Sequence, residues 1–304
     1  MKVEEEKAIE SIWKLGGLSR WQLGHRVWME IYSGSLLTHA AALSYYFLLA
    51  LFPLLLFLVA MLGYFAESGT ELRVNLLNYL GRVIPRSASQ LIKTTVAEIS
   101  LNASSGKLSF GLISALWFAS YGIGAVTDAL NATYGVKESR SWLQVRLIAV
   151  GLTIGLAVLT ISALTLVLYG GDIGASLANR SGLGTAFTLA WNILQWPIVL
   201  AFVLLAFALI YYFAPNLSHR KWYWITPGSV TGLGLWLLVS FGFRLYLRFF
   251  DNYSVTYGSL GAVIVLMLWF FLTGAAILIG GKVNAEIENA AAQRGVPEAK
   301  PKGE

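Results

Sequence analysis

Residues 40–66, AAALSYYFLLALFPLLLFLVAMLGYFA, run for 27 positions without a charged side chain. As a helix this stretch is about 40 Å long, whereas the hydrocarbon core of a bilayer is roughly 30 Å thick. It is therefore long enough to cross a membrane with some tilt. A cleavable leader does not fit, because the run begins at Ala40 and far exceeds the apolar region of a leader. Comparable runs at 108–126, 143–169, 185–213, 225–247 and 258–281 bring the expected spans to six.

Composition agrees with this pattern. Charged residues are 12% of the chain and hydrophobic ones 57%, against about 25% charged in soluble domains, and the mean hydropathy is +0.65. The expected fold class is all-α: a polytopic integral membrane helical bundle with six transmembrane helices and an extracytoplasmic helical hairpin. The hairpin is read from residues 67–107, where two apolar-periodic pieces at 72–84 and 91–101 are separated by Pro85, which cannot continue a helix. Turns between spans are expected at Asn131 and Gly135, at Gly170, Gly171 and Asp172, at Pro215 and Asn216, and at Asp251 and Asn252.

The net charge of +6 comes from basic residues spread over inter-span segments rather than from one tract. That distribution argues against nucleic acid and for topology and anionic lipid. With both termini on the cytoplasmic side, 14 of the 22 Lys and Arg residues fall inside, as the positive-inside rule requires. The chain then divides into a cytoplasmic amphipathic segment (1–39), a membrane domain (40–281) and a cytoplasmic tail (282–304). Within the first segment, Trp21, Trp28 and Ile31 share a helical face beside Arg20 and Arg26. Such a helix either lies in the membrane interface or packs on the cytoplasmic ends of the spans.

Intramembrane polar residues are the candidates for function. In the second span Trp117, Tyr121, Gly124, Asp128 and Asn131 recur every three or four residues on one face, with Tyr134 one turn on. Asp128 calls for a cation, and Arg140 and Arg146 are nearest in sequence. Asp128 and Asn131 either line a path or tie the end of the span to its loop. Arg244 and Arg248 near the outer end of the fifth span, with Tyr257 beyond, form either an anion-recognition pair or ordinary dipole-complementing arginines. Ser44 and Tyr45 precede Pro53 in the first span, and Asn192, Gln195 and Trp196 precede Pro197 in the fourth. Both prolines leave a helix carbonyl without its hydrogen bond, which suits a cavity wall or a packing contact equally. Two GxxxG pairs, Gly151 with Gly155 and Gly228 with Gly232, favour close contacts within the bundle over a dimer face.

Enzymatic chemistry has little to draw on. There is no cysteine, and His25, His39 and His219 are scattered. No HExxH, GxSxG, P-loop or dinucleotide fingerprint occurs, so no catalytic residue, metal or cofactor is expected and a motor ATPase is excluded within this sequence.

The segments AAALSYYFLLALFPLLL (40–56), LWFASYGIGAVTDALNATYG (116–135), WITPGSVTG (224–232) and YGSLGAVIVLMLWFFLTGAAILIGGKVNAEIE (257–288) together resemble the YihY/BrkB family of bacterial inner-membrane proteins, once labelled ribonuclease BN. The resemblance covers about residues 36–288. It implies a six-span protein of the bacterial inner membrane, in a family linked to serum resistance and to export of lipid or lipid-like envelope components. No catalytic residue carries over, and a ribonuclease is not expected, because the chain supplies neither a metal cluster nor an acid–base pair.

The resulting expectation is a transporter or lipid-translocating protein for an anionic lipid or envelope component. Its path runs from Asp128, Asn131, Tyr134 and Tyr121 to Arg244, Arg248 and Tyr257, beside Ser44, Tyr45, Pro53, Asn192 and Gln195. Asp128 is its proton-coupling carboxylate, and membrane lipids with anionic headgroups are its partners. The alternative is a structural or assembly protein of the envelope, its partner being a second copy or another envelope protein.

Overall fold

A chain with such long apolar runs must satisfy its backbone within each segment once it enters lipid, and helices do so. The computed structural model describes residues 12–33, 35–65, 105–181, 185–217, 222–249 and 253–294. After a short 3-10 turn (Ile12–Gly17) come α1 (Arg20–Ser33), α2 (Leu36–Phe65), α3 (Ser105–Tyr134), α4 (Trp142–Ser181), α5 (Thr185–Phe213), α6 (Pro227–Phe249) and α7 (Tyr253–Gln293). No strand occurs among the described residues, and α2 to α7 are the six helices long and apolar enough to cross a membrane. The expected hairpin lies outside the described residues up to the start of α3.

Local chemistry sets the helix ends. Ser19 and Gln22 exchange backbone and side-chain hydrogen bonds of 2.9 and 3.1 Å at the start of α1, and Ser141 and Gln144 do the same at α4. Both are capping boxes that satisfy donors otherwise left bare. Thr226 and Ser229 form a third pair, 2.9 Å in each direction, ahead of Pro227 at the first position of α6. Gly135 ends α3 at φ 71°, and the Val136 amide donates back to Asn131 O at 2.9 Å.

The structure departs from the expected boundaries at two places. Gly170, Gly171 and Asp172 do not form a turn, since α4 continues to Ser181. Glycines are tolerated inside membrane helices, where a neighbouring helix can approach them closely. The segment from 282 onward continues α7 as far as Gln293.

α7 is the central element, packed on α2, α3, α6 and the N-terminal turn, while α4 packs on α5. The core gathers Leu43, Val126, Leu130, Tyr211 and Leu278. The α5–α6–α7 seam closes on glycine. A Cβ at Gly280 would lie 2.6 Å from Gly228 O and 3.1 Å from Gly232 Cα, and the Tyr211 hydroxyl donates to Ile277 O at 2.8 Å. The Gly228/Gly232 pair is therefore a contact inside the bundle. Gly151 differs, because a Cβ there would meet nothing within 4 Å. The outer surface is apolar, with Ile193 73% and Phe241 69% exposed, as a lipid-facing bundle requires and a water-facing one does not tolerate.

Candidate functional site

The polar residues at the end of α3 form a closed junction. Asn131 is buried; its Nδ2 donates to Glu138 Oε2 at 2.9 Å, and its Oδ1 accepts from the Asn216 amide at 2.7 Å. Asn216 Nδ2 in turn donates to Lys137 O and Ser139 Oγ at 2.9 and 2.8 Å. Arg140 clamps Glu138 through Nε at 2.8 Å and Nη2 at 2.6 Å. The same guanidinium donates to Phe213 O and Ala214 O at 3.2 and 2.8 Å, capping the end of α5 where carbonyls lack helical donors. Bidentate geometry of this kind is the strong form of an ion pair.

Arg140 holds the Glu138 carboxyl down at about 2, chiefly through its side-chain hydrogen bonds and against the effect of burial. A carboxyl lowered from its ordinary value of 4.5 contributes stability that is complete above 4.5 and is lost as pH falls toward 2. The melting temperature of the purified protein is thus expected to fall across that window. Glu138→Gln is expected to flatten the dependence, and a wild-type curve unchanged by the substitution would contradict the clamp.

Neither candidate arginine pairs with Asp128. Arg140 is engaged as above. Arg146, 6% exposed, lies between the rings of Trp117 and Tyr121, 4.2 and 3.8 Å from their centroids, and donates from Nη2 to Trp117 O. Asp128 forms no ion pair among the described residues and sits on the exposed side of α3. The physical reason is reach: the loop after Gly135 turns Arg140 toward α5, and Arg146 extends along α3 to its aromatics. Arg146→Lys is expected to cost about 1–2 kcal/mol, because a point charge cannot stack between two rings as a planar guanidinium does. Chemical denaturation followed by tryptophan fluorescence measures it, and a loss below about 0.5 kcal/mol, as at an ordinary surface site, would contradict the stacking role.

The other expected residues are dispersed. Tyr134 is buried in the core and Ser44 donates to Ala41 O of its own helix at 2.7 Å. Tyr45 is on the outer surface, and Pro53 sits within the continuous helix α2. Asn192 and Gln195 approach Gly171 and Gly170 of α4, and Trp191 Nε1 donates to Gly170 O at 2.6 Å. That is a packing contact between α4 and α5. Arg244 is exposed on α6, while the side chains of Arg248 and Tyr257 lie outside the described ones. Asp128, Asn131 and Tyr134 are at one end of α3, and nothing among the described contacts joins them to Arg244.

Two cavities stand out. One, about 200 Å³, is lined by Phe47, Ala50 and Leu54 of α2, Gly122 and Ile123 of α3, Thr153 and Ala157 of α4 and Phe270 of α7. Of its two hydroxyls, Thr153 Oγ1 is spent on Ala149 O at 2.7 Å and Thr160 lies on the exposed side of α4. A lining this apolar accepts apolar guests. The other, about 340 Å³, is polar and lies between α1 and the end of α7, lined by His25, Arg26, Glu30, Glu286 and Asn289. Beside it Lys282, 1% exposed, pairs with Glu30 at 3.4 Å and Glu286 at 3.1 Å. Sequence reasoning passed over Lys282, Glu286 and Glu138. The i, i+4 spacing of Lys282 and Glu286 was a readable signal; the approach of Glu30 was not. Among the described residues no three His, Asp or Glu side chains assemble as a metal site.

A family model described as "Virulence factor BrkB" matches residues 27–303. The chain is 38% identical over 248 residues to the ribonuclease-like protein YfkH of Bacillus subtilis, covering 81% of this chain and 88% of that protein. It is 28% identical over 269 residues to a UPF0761 membrane protein of Laribacter hongkongensis, covering 86% of this chain and 60% of the relative. A UPF0761 membrane protein of Photobacterium profundum is 27% identical over 253 residues, with 82% and 75% covered. No solved structure matches the chain. The family match over nearly the whole sequence, together with six apolar helices, shows that this chain belongs to the BrkB family of multi-pass membrane proteins.

Proposed function

We propose that this protein binds membrane lipid and passes it across the bacterial inner membrane, with both termini cytoplasmic and no nucleotide-driven motor of its own. The observation that carries the reading is the apolar cavity between α2, α3, α4 and α7. It lies within the apolar spans, where the surrounding solvent is acyl chain. A route for a soluble ion has less support, because the polar groups at the end of α3 are consumed by the Asn131–Glu138–Arg140 junction. Asp128, outside that junction, is the group of this reading that couples lipid movement to protons, and Arg244 and Arg248 are the cations that meet an anionic headgroup.

The test is a dithionite-quench assay on proteoliposomes carrying fluorescent phosphatidylglycerol. Wild type is expected to expose inner-leaflet lipid faster than empty vesicles. Ala157→Phe, which fills the cavity, is expected to remove most of that excess, and Asp128→Asn to remove its dependence on a proton gradient. Wild-type traces equal to those of empty vesicles would overturn the reading. The second reading, a scaffold for envelope proteins, is favoured by the glycine-closed α5–α6–α7 seam, which leaves no room for that seam to open. Unchanged lipid traces combined with a stable complex with a defined envelope protein would favour it.

A further inference from the structure

The register between α1 and the end of α7 sets the height of every α1 side chain. Arg26 pairs with Glu286 at 3.6 Å and Glu30 with Lys282 at 3.4 Å. Leu23 and Val27 pack with Val283 and Ile287, and Arg294 Nη2 donates to Gly17 O at 2.7 Å. The two helices are therefore antiparallel, and α1 descends toward the spans as its numbering rises. The uncharged run of α7 ends at Gly281. Tyr32 then stands level with the last uncharged turn of α7 and Trp28 one turn above it. Trp21 is about 16 Å from Tyr32 along the axis. Beyond a core of roughly 30 Å, each headgroup region is about 5–8 Å thick, so an upright α1 holds Tyr32 and Trp28 within that layer and carries Trp21 past its outer edge.

Opposite the docking face, Trp21, His25, Trp28 and Tyr32 recur at four, three and four residues and form one outward stripe. Trp21 is 76%, Trp28 63% and Tyr32 83% exposed, and Trp21 stacks on His25. Ile31, which shared their face in the sequence reading, turns instead toward the core. Two features identify what covers the stripe. It is followed along the chain by the exposed Leu37 and Tyr45 of α2, a helix long and apolar enough to cross a membrane. Arg20 opens α1 beside Trp21 and Lys14 lies in the turn before it, both exposed, and cations there are attracted by an anionic membrane surface. We propose that the Trp28–Tyr32 end of the stripe is a binding surface for anionic phospholipid headgroups, held upright by the α1–α7 ion pairs, with Arg20 and Lys14 above it drawn to the negative surface potential. This surface does not depend on lipid passage through the bundle.

The chain has no cysteine, so Trp21→Cys, Trp28→Cys and Tyr32→Cys can each carry a single spin label in the full-length protein. The probes are vesicles of phosphatidylcholine with and without phosphatidylglycerol. Labels at Trp28→Cys and Tyr32→Cys are expected to collide several-fold more often with oxygen than with an aqueous nickel chelate. The label at Trp28→Cys is expected to be slowed further by phosphatidylglycerol, an effect weakened when Lys14→Gln and Arg20→Gln are added, while the label at Trp21→Cys stays open to the chelate. Equal access of the chelate to all three positions overturns the proposal. So does spin–spin broadening, which would put a second copy on the stripe, and so does contact with lipid that is indifferent to phosphatidylglycerol. Folding of each variant is verified by its gel-filtration profile, which labels on an outward face leave unchanged.

Discussion

Gly280→Val is expected to abolish production of folded protein, and Gly280→Ala to destabilise it by at least about 3 kcal/mol, the upper end of the overpacking range. A Cβ at this position would lie 2.2 Å from the Tyr211 hydroxyl, 2.6 Å from Gly228 O and 3.1 Å from Gly232 Cα. Two of these three neighbours are backbone of α6 and cannot rotate away. The third is a phenol held in place by its 2.8 Å bond to Ile277 O. Relief therefore requires α6 to separate from α7, which uncovers Ser229 and Asn284 and breaks the 2.9 Å bond from the Gly228 amide to Asn284 Oδ1. Gly151→Ala is the matched control, because its added methyl meets open space, and it is expected to change stability by less than about 0.5 kcal/mol. Melting curves in detergent compare the variants, and equal curves for Gly280→Ala and Gly151→Ala would show that the seam is not closed as described.

Lys282→Met is expected to cost about 1–3 kcal/mol, because it leaves the Glu286 carboxylate, 13% exposed, with Arg26 at 3.6 Å as its remaining partner and Glu30 close by. Lys282 is 1% exposed, Glu286 lies 3.1 Å from its ammonium, and Glu30 reaches it from α1 at 3.4 Å. The side chain of Glu286 is itself 13% exposed and holds Arg26 only at 3.6 Å. Removing the lysine therefore turns an attractive cluster into a repulsion between α1 and α7, and α1 is the element free to leave. Trypsin cleavage at Arg20 and Arg26 is expected to accelerate strongly. Adding Glu286→Leu and Glu30→Gln to Lys282→Met is expected to recover most of the loss, since replacing a charge together with its partners leaves no unpaired carboxylate behind. Cleavage at the wild-type rate in Lys282→Met would show that apolar contacts at Leu23 and Val27 hold α1 without the ion pairs.

Several features of the site were legible before any fold was in hand, for reasons of local chemistry. Asn131 next to Gly135 reads as the end of a helix, and the junction there is built on that end. The stripe at Trp117 and Tyr121 does share one helical face. What covers that face was not legible, since Arg146 arrives from a different helix and takes both rings. Asp128 was assigned a cation by sequence distance alone. In the structure the nearer arginine turns to a carboxylate two residues before it and to carbonyls more than seventy residues away. The tight packing at Gly228 was foreseen from its spacing, but the same spacing at Gly151 leads to open space. A motif states that backbones can approach, and only the arrangement of neighbouring helices states whether they do.

The sequence by itself determined that this is a six-helix membrane bundle. Lipid offers no hydrogen bonds to a bare backbone, so a long uncharged run has one local solution whatever surrounds it. Tertiary structure alone decided the rest: that Arg140 serves Glu138 and α5, that Arg146 is held by aromatic rings, and that Lys282 is buried between α1 and α7. It also decided that an apolar cavity remains among α2, α3, α4 and α7. These outcomes depend on helix crossings and loop directions, which set distances between residues far apart in the chain and leave no periodic trace in the order of its amino acids.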